Sequence, residues 1–135
     1  MKITHTNKAP AAIGPYSQAV QVGDFVFCSG QIGLDPTSMK LIEGGVKSQT
    51  RQVFLNIEAV LESSNLSLSN VVKVQVFIQN MDHFSMVNEI YGDFMKGHKP
   101  ARDTIEVSKL PLEALIEISV VAYRASPDIS TLSSS

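Results

Sequence analysis

The sequence VVKVQVFIQ at residues 71–79 decides the fold of this chain. Its side chains alternate in the way that is typical of a strand with one buried face. The face predicted to be buried consists of four β-branched residues: Val72, Val74, Val76 and Ile78. The opposite face consists of Lys73, Gln75, Phe77 and Gln79. Such a strand needs a second layer of structure to cover its apolar face.

The sequence on each side of this strand predicts a helix. Residues 46–63 repeat apolar side chains at helical spacing. The stripe they form consists of Val46, Val53, Phe54, Ile57, Val60 and Leu61. A second helix is predicted to begin near Asp82, a favourable N-cap residue, and to end near Gly97. Its apolar positions include Phe84, Val87, Ile90, Tyr91 and Phe94.

Further strands complete the predicted sheet. Residues 19–29 are predicted to form a hairpin, because Gly23 and Asp24 separate two runs rich in apolar and aromatic side chains. Residues 102–107 and 116–124 are predicted to form two more strands. This order of elements predicts the α+β class, with a mixed sheet and both helices packed on one of its faces.

The sheet face without helices is predicted to carry apolar side chains as well. Phe77, Val121 and Tyr123 are expected there, next to polar residues of the same strands. A surface of this mixed character is typical of a subunit interface that contains a wet pocket. We therefore expect the protein to form an oligomer.

Length, composition and charge limit the class of protein. The chain has 135 residues, of which 44% are hydrophobic and 18% are charged, as expected for one globular domain. We expect that domain to span residues 1–125 and the Ser-rich tail at residues 126–135 to be disordered. The net charge of -2 argues against a nucleic-acid-binding protein, because gripping phosphates requires many Lys and Arg side chains.

The sequence also indicates a compartment and the absence of a metal centre. The first residues are polar, and the chain has no apolar run long enough for a signal peptide or a membrane span. The one cysteine, Cys28, fits a reducing compartment, and we expect it to be a small buried residue. His5, His83 and His98 lack the spacing of metal ligands. We therefore expect a cytoplasmic protein that has no metal, no cofactor and no contact with membranes.

Strand alternation brings candidate functional residues together. Arg102 and Thr104 are predicted to lie on the side of their strand opposite Ile105 and Val107. If the apolar sides of the last two strands face the helices, Arg102, Thr104 and Glu117 converge on the other sheet face. A guanidinium can bind a carboxylate through two parallel hydrogen bonds, and a nearby carboxylate can orient water or move a proton. The alternative is a solvated Arg–Glu pair of small energetic value.

Four short motifs occur along the chain in this order: GPYSQA at 14–19, CSGQIG at 28–33, GVKSQTRQ at 45–52 and PAR at 100–102. In these motifs the chain resembles the Rid family, also called the YjgF family, over nearly its whole length, from Thr6 to Ala125. Within that family it is most similar to the RidA subgroup, the reactive-intermediate deaminases.

That resemblance implies a chorismate-mutase-like fold and a homotrimer with three pockets between its subunits. It also implies hydrolysis of 2-imino acids, released by pyridoxal-phosphate-dependent dehydratases, to 2-keto acids and ammonia. The implied activity is that of a 2-iminobutanoate/2-iminopropanoate deaminase.

The resemblance also assigns roles to residues of this chain. It makes Arg102 the residue that binds the substrate carboxylate and Glu117 the residue that positions water, with backbone groups of Thr104 assisting. Many RidA proteins have cysteine at the position of Thr104. The implied substrate pocket is lined by the following residues: Tyr16, Ser29, Gly30, Asn88 and Arg102.

Two other functions remain open. The wider family is also associated with endoribonuclease activity and inhibition of translation. The acidic charge balance and the absence of a histidine pair for acid–base cleavage argue against it. A non-catalytic trimer that binds a small carboxylate would need Arg102 but could dispense with Glu117.

Overall fold

A computed structural model describes residues 1–125 of the chain, and the predicted tail at residues 126–135 lies outside the described residues. The strands are β1 (Lys2–Thr4), β2 (Ala19–Val22), β3 (Phe25–Gln31), β4 (Val71–Ile78), β5 (Ala101–Glu106) and β6 (Ile116–Tyr123). The two helices are α1 (Gly45–Glu62) and α2 (Phe84–Met95). The predicted hairpin, both helices and the last three strands are therefore confirmed.

The six strands form one mixed sheet in the order β1-β2-β3-β6-β4-β5. All neighbouring strands are antiparallel except β4 and β5, which are parallel. A parallel pair needs a crossover connection, and α2 lies in the segment that joins β4 to β5. The mixed sheet of the predicted α+β class is thus confirmed, with β5 at one edge.

Both helices pack on one face of the sheet and form a single core with it. The predicted stripe of α1 is buried along its whole length. On α2, Tyr91 meets Phe54 of α1 edge-on at a ring-centroid distance of 5.8 Å, and Phe94 stacks on the same ring at 4.8 Å. Burying each large apolar side chain contributes about 1.5–3 kcal/mol. This core fixes the position of α2, which carries part of the candidate site.

Local irregularities shift two of the predicted positions. The pairing of β4 with β6 changes register between Val71 and Lys73, so that Val71 is buried and Val72 is 43% exposed. The sequence prediction that Val72 faces the core is therefore wrong, because a bulge breaks the alternation there. The second position is the cap before α2, which is Asn80 and not the predicted Asp82. The Asn80 side-chain oxygen accepts a hydrogen bond from the Asp82 backbone N–H.

The sheet face opposite the helices, here called the open face, is partly apolar. Phe25, Phe27 and Tyr123 are each about two-fifths exposed on this face. Phe25 contacts Tyr123 at a ring-centroid distance of 5.0 Å, and Phe77 and Val121 are half-buried. The apolar character predicted for this face is therefore confirmed. No helix among residues 1–125 is long and apolar enough to cross a membrane.

Candidate active site

A cavity of about 670 Å³ lies at one end of the open face. Its wall includes Tyr16, Ser29, Gly30 and Glu117, which are four of the residues that the sequence predicted for the site. The loop that precedes β2 supplies Tyr16, while β3 supplies Ser29 and Gly30. Glu117, near the start of β6, is paired with Phe77, so its side chain lies on the open face.

Glu117 is the titratable group that distinguishes this cavity. Its side chain is half-buried, and this burial raises the pKa of the carboxyl group. A Cβ atom at position 30 would lie 2.6 Å from Oε2 of Glu117, a distance too short for an ordinary contact. Glycine at position 30 therefore lets the carboxylate lie directly against the backbone of β3.

Ser29 holds the loop that carries Tyr16. Its hydroxyl donates a hydrogen bond of 2.6 Å to the Ser17 carbonyl, and its backbone N–H donates one of 2.9 Å to the Gln18 carbonyl. Tyr16 is 55% exposed at the rim of the cavity. In the described chain, the Ser29 hydroxyl thus anchors the loop, and the loop places Tyr16 at the rim of the cavity.

Buried amide side chains fix the remaining walls. The Gln18 amide bonds to the backbone of Thr6 in both directions and donates a 2.8 Å hydrogen bond to the Pro10 carbonyl. The fully buried Asn56 of α1 donates to the carbonyls of Leu34 at 3.0 Å and Ile32 at 3.3 Å. Loops that would otherwise lack regular hydrogen bonds are thereby held in place.

Arg102 lies in a different cleft of about 410 Å³, between α2 and β5. One guanidinium nitrogen donates a 2.8 Å hydrogen bond to Oδ1 of Asn88. The guanidinium carbon lies 4.6 Å from the ring centroid of Tyr91 and 5.6 Å from that of Phe84. Burial raises the pKa of Tyr91, and the charge of Arg102 offsets part of that rise. Neither ion pair among residues 1–125 involves Arg102.

The predicted convergence of Arg102, Thr104 and Glu117 within one chain is wrong. The parallel register pairs Arg102 with Val74 and Thr104 with Val76, and both valines are buried under the helices. Arg102 and Thr104 therefore lie on the helix side of the sheet, while Glu117 lies on the open face.

The reason for this error is the position of β5 at the edge of the sheet. Ile105, whose apolar side chain was expected to face the helices, is paired with Phe77 and is 44% exposed on the open face. Asp103 lies on the same face and forms an ion pair with Lys73 at 2.9 Å. Because the open face is itself apolar, the hydrophobic pattern of this strand does not identify the side that faces the core.

The remaining reactive side chains do not form a second centre. Cys28 is buried, which raises the pKa of its thiol to about 12 and confirms the prediction that it is a structural residue. Residues 1–125 contain no group of three or more His, Cys, Asp or Glu side chains that could hold a metal ion. The candidate residues described above supply a guanidinium, a carboxylate and hydrogen-bonding groups.

Comparison with known proteins identifies the family of this chain. The sequence model of the endoribonuclease L-PSP family matches residues 6–124. The chain belongs to this family. It is the family that the four sequence motifs indicate, known as the Rid or YjgF family.

Relatives of known name carry different functional descriptions. The chain is 45% identical over 123 residues to the mouse 2-iminobutanoate/2-iminopropanoate deaminase, which covers 91% of each protein. A Thermotoga maritima structure, described as a candidate endoribonuclease, superposes with a TM-score of 0.91 at 44% identity, over 93% of this chain and 99% of that one. Escherichia coli TdcF with bound serine superposes with a TM-score of 0.88 at 36% identity, over 93% of this chain and all of that one.

Sequence reasoning missed the aromatic neighbours of Arg102. Phe84 and Tyr91 were predicted only as core positions of α2, although Asn88 was a candidate for the site. The signal was present in the spacing, because residues 84, 88 and 91 recur on one face of a helix. What the sequence did not reveal is which strand lies under that face.

Proposed function

We propose that this Rid-family protein hydrolyses reactive 2-imino acids to 2-keto acids and ammonia, as a 2-iminobutanoate/2-iminopropanoate deaminase. The observation that carries the proposal is the guanidinium of Arg102, which is held by a neutral amide and aromatic rings and forms no ion pair with a carboxylate of residues 1–125. Such a group is suited to bind the carboxylate of a small organic acid. The deaminase name of the mouse relative and the serine bound to TdcF support this choice.

We propose further that the active site forms between subunits of a homotrimer. Arg102 and Glu117 lie on opposite sides of the sheet, so one chain does not bring them to one substrate. The exposed aromatic side chains of the open face supply apolar area for subunit contact. In such an assembly, Arg102 of one chain meets the cavity of its neighbour, with Tyr16, Ser29, Gly30 and Glu117.

In the proposed reaction, the protein contributes mainly by positioning the substrate and the water molecule, because the imine is already reactive. Arg102 binds the carboxylate and fixes which face of the adjacent C=N bond is open to water. Glu117, with the backbone of Thr104, orients and polarises the water molecule, whose oxygen forms a bond to the imine carbon. As this bond forms, the C=N π bond opens and the nitrogen takes the proton that water loses to Glu117. In the resulting carbinolamine the hydroxyl proton passes by way of Glu117 to the nitrogen, the C–N bond breaks, ammonia leaves and the C–O bond becomes the keto group. The raised pKa of Glu117 suits this proton exchange, because it brings the pKa of the carboxyl group closer to neutral pH.

The activity is tested by generating 2-iminobutanoate from threonine with a dehydratase and following imine loss with and without the protein. Arg102→Ala is expected to lower kcat/KM by about two to four decades, since charged hydrogen bonds are lost. Arg51→Ala, which removes an exposed arginine of α1, is the matched control and should behave as wild type. No acceleration by the wild-type protein would refute the deaminase proposal.

A second experiment tests whether the site is shared between chains. Arg102→Ala and Glu117→Gln are each expected to be nearly inactive alone. After unfolding and refolding together, an equal mixture is expected to regain about a quarter of wild-type activity, because each shared site draws one residue from each of two neighbouring chains. Mixed assemblies seen by native mass spectrometry without any recovered activity would exclude the shared site.

The same variants separate the alternative functions. A carboxylate-binding protein without catalysis would bind 2-oxobutanoate through Arg102 and retain that binding in Glu117→Gln. An endoribonuclease, the description given to the family, would cleave RNA in a manner that survives repeated purification and disappears in Arg102→Ala. We also infer a cytoplasmic location, because the single cysteine fits a reducing compartment.

A further inference from the structure

Three side chains on one face of α2 contact the Arg102 guanidinium. Phe84, Asn88 and Tyr91 are spaced by four and three residues, so they line up along one side of the helix. Their contacts with Arg102 differ in kind: Asn88 accepts a hydrogen bond, while the two rings present their electron-rich faces. This arrangement is independent of Glu117 and of the cavity on the open face.

Tyr91 makes the closer of the two ring contacts. Its centroid lies 4.6 Å from the guanidinium carbon, against 5.6 Å for Phe84, and both values are within the range of cation–π attraction. The Tyr91 ring is itself held by Phe54, which it meets at an interplanar angle of 72° in the buried core. The core therefore fixes the ring, and the ring limits where the guanidinium can lie.

Arginine on an edge strand would otherwise sample many rotamers, and ordering such a long side chain at the moment of binding weakens the binding of its ligand. A guanidinium has five N–H donors, and Asn88 accepts a bond from only one nitrogen. The contacts with α2 thus restrict the side chain while leaving most of its donors free for a carboxylate.

We propose that Tyr91 is a positioning residue, which holds the Arg102 guanidinium in the orientation that binds the carboxylate of the substrate. The inference rests on the proposed function for the identity of that substrate. The carboxylate-binding step can nevertheless be measured without any imine chemistry.

Three substitutions on α2 separate positioning from packing. Tyr91→Phe keeps the aromatic face and removes only the hydroxyl group. Tyr91→Leu keeps an apolar side chain and removes the face. Phe94→Leu is the matched control, because Phe94 stacks on the same Phe54 ring but makes no cation–π contact with Arg102 in residues 1–125.

The first measurement is the Kd of 2-oxobutanoate, by calorimetry on the assembled protein. Tyr91→Leu is expected to weaken binding about three- to tenfold, as loss of a cation–π contact at a partly desolvated site should. Phe94→Leu is expected to bind as wild type does, and Tyr91→Phe, which loses the hydroxyl group that interacts with Arg102, should bind more tightly than Tyr91→Leu. With imine substrate, Tyr91→Leu should raise KM and leave kcat nearly unchanged, because the carboxylate is held equally in the ground and transition states.

The second measurement needs no ligand and leaves the side chains of α2 unchanged. The Nε–H proton of Arg102, assigned by its loss in Arg102→Lys, should resonate upfield of that of the exposed Arg51 because of the ring current of Tyr91. An Arg102 signal at the same position as that of Arg51 would overturn the inference. Equal weakening of 2-oxobutanoate binding by Tyr91→Leu and Phe94→Leu, or none by Tyr91→Leu, would overturn it as well.

These results distinguish the inference from the proposed function. Wild-type protein that binds 2-oxobutanoate but does not accelerate imine loss would refute the deaminase and leave the role of Tyr91 decided by the binding data. Absence of 2-oxobutanoate binding in the wild type would overturn the role of Tyr91, whereas the deaminase proposal is decided by imine loss alone.

Discussion

The contact between Gly30 and Glu117 sets the position of the catalytic carboxylate in the proposed site. A methyl group on residue 30 would meet Oε2 of Glu117 at 2.6 Å, so the carboxylate would have to move. Glycine is needed here for space, and its backbone conformation is one that other residues adopt.

We expect Gly30→Ala to lower the deaminase kcat/KM about tenfold to a hundredfold, because displacing a positioned group by about 1 Å has effects of this size. Steady-state kinetics would show the loss, and a thermal melt should show a nearly unchanged Tm. Wild-type kinetics in this variant would mean that Glu117 does not act from its observed position.

The pKa of Glu117 predicts the pH dependence of the reaction. Burial raises this pKa, and the proposed mechanism requires the ionised carboxylate. Activity should therefore rise as the pH increases through the raised pKa, with an acid limb at higher pH than an ordinary glutamate would give. A profile of kcat/KM against pH measures the limb. If the residual activity of Glu117→Gln shows the same limb, another group is responsible for it.

At the scale of single residues, the motifs grouped four candidate residues that share a cavity, and strand parity misplaced Arg102 and Thr104. Tyr16, Ser29, Gly30 and Glu117 do line one cavity. Arg102 was expected beside them because an apolar residue on its strand was taken to face the core. The side of an edge strand that is covered depends on its pairing partner, and pairing is a long-range property.

At the scale of elements, the sequence was most informative where apolar periodicity was long. The prediction for α1 is within one residue of the observed helix at both ends, because its buried stripe continues through five turns. The strand β1 was not predicted, since three residues are too few to show a period. The start of α2 was shifted by the Asn80 cap, a local hydrogen bond that the apolar pattern does not record.

The link between α1 and the loop after β3 depends on one buried amide. Asn56 is fully buried, and its side chain donates to two loop carbonyls. We expect Asn56→Ala to lower the free energy of unfolding by about 1–3 kcal/mol, because both carbonyls lose the Asn56 amide and the Ile32 carbonyl keeps only its bond from the Leu34 backbone N–H. Urea denaturation measures the change.

Leu55→Ala is the control for this prediction. Leu55 precedes Asn56 on the same helix and is 50% exposed, so its truncation should cost clearly less stability than Asn56→Ala. Equal losses in the two variants would show that the effect comes from the helix itself and not from the hydrogen bonds to the loop.

At the scale of the whole molecule, the open face is the surface on which the proposed contact between subunits depends. Phe77, Val121 and Tyr123 were anticipated there from strand alternation, whereas Phe25, Phe27 and the order of the strands were not. Strand order depends on which distant segments pair, and a single sequence carries little information about that.

We expect Phe27→Glu to convert the assembly to monomers and to abolish deaminase activity. The substitution places a charge in the centre of the proposed contact surface, where it would have to be buried without a partner. Analytical ultracentrifugation measures the assembly state. Leu55→Glu puts the same charge on an equally exposed position of α1 and should leave assembly intact; an assembled Phe27→Glu protein would place the contact elsewhere.

The thickness of the sheet between Arg102 and Glu117 has a consequence for how the proposed activity depends on protein concentration. If every active centre needs two neighbouring chains, mass action controls the number of centres. Specific activity should be constant in concentrated solution and fall on dilution, while each released chain keeps its fold. A catalyst built in this way loses its activity on dilution, at concentrations where its separated chains are still folded.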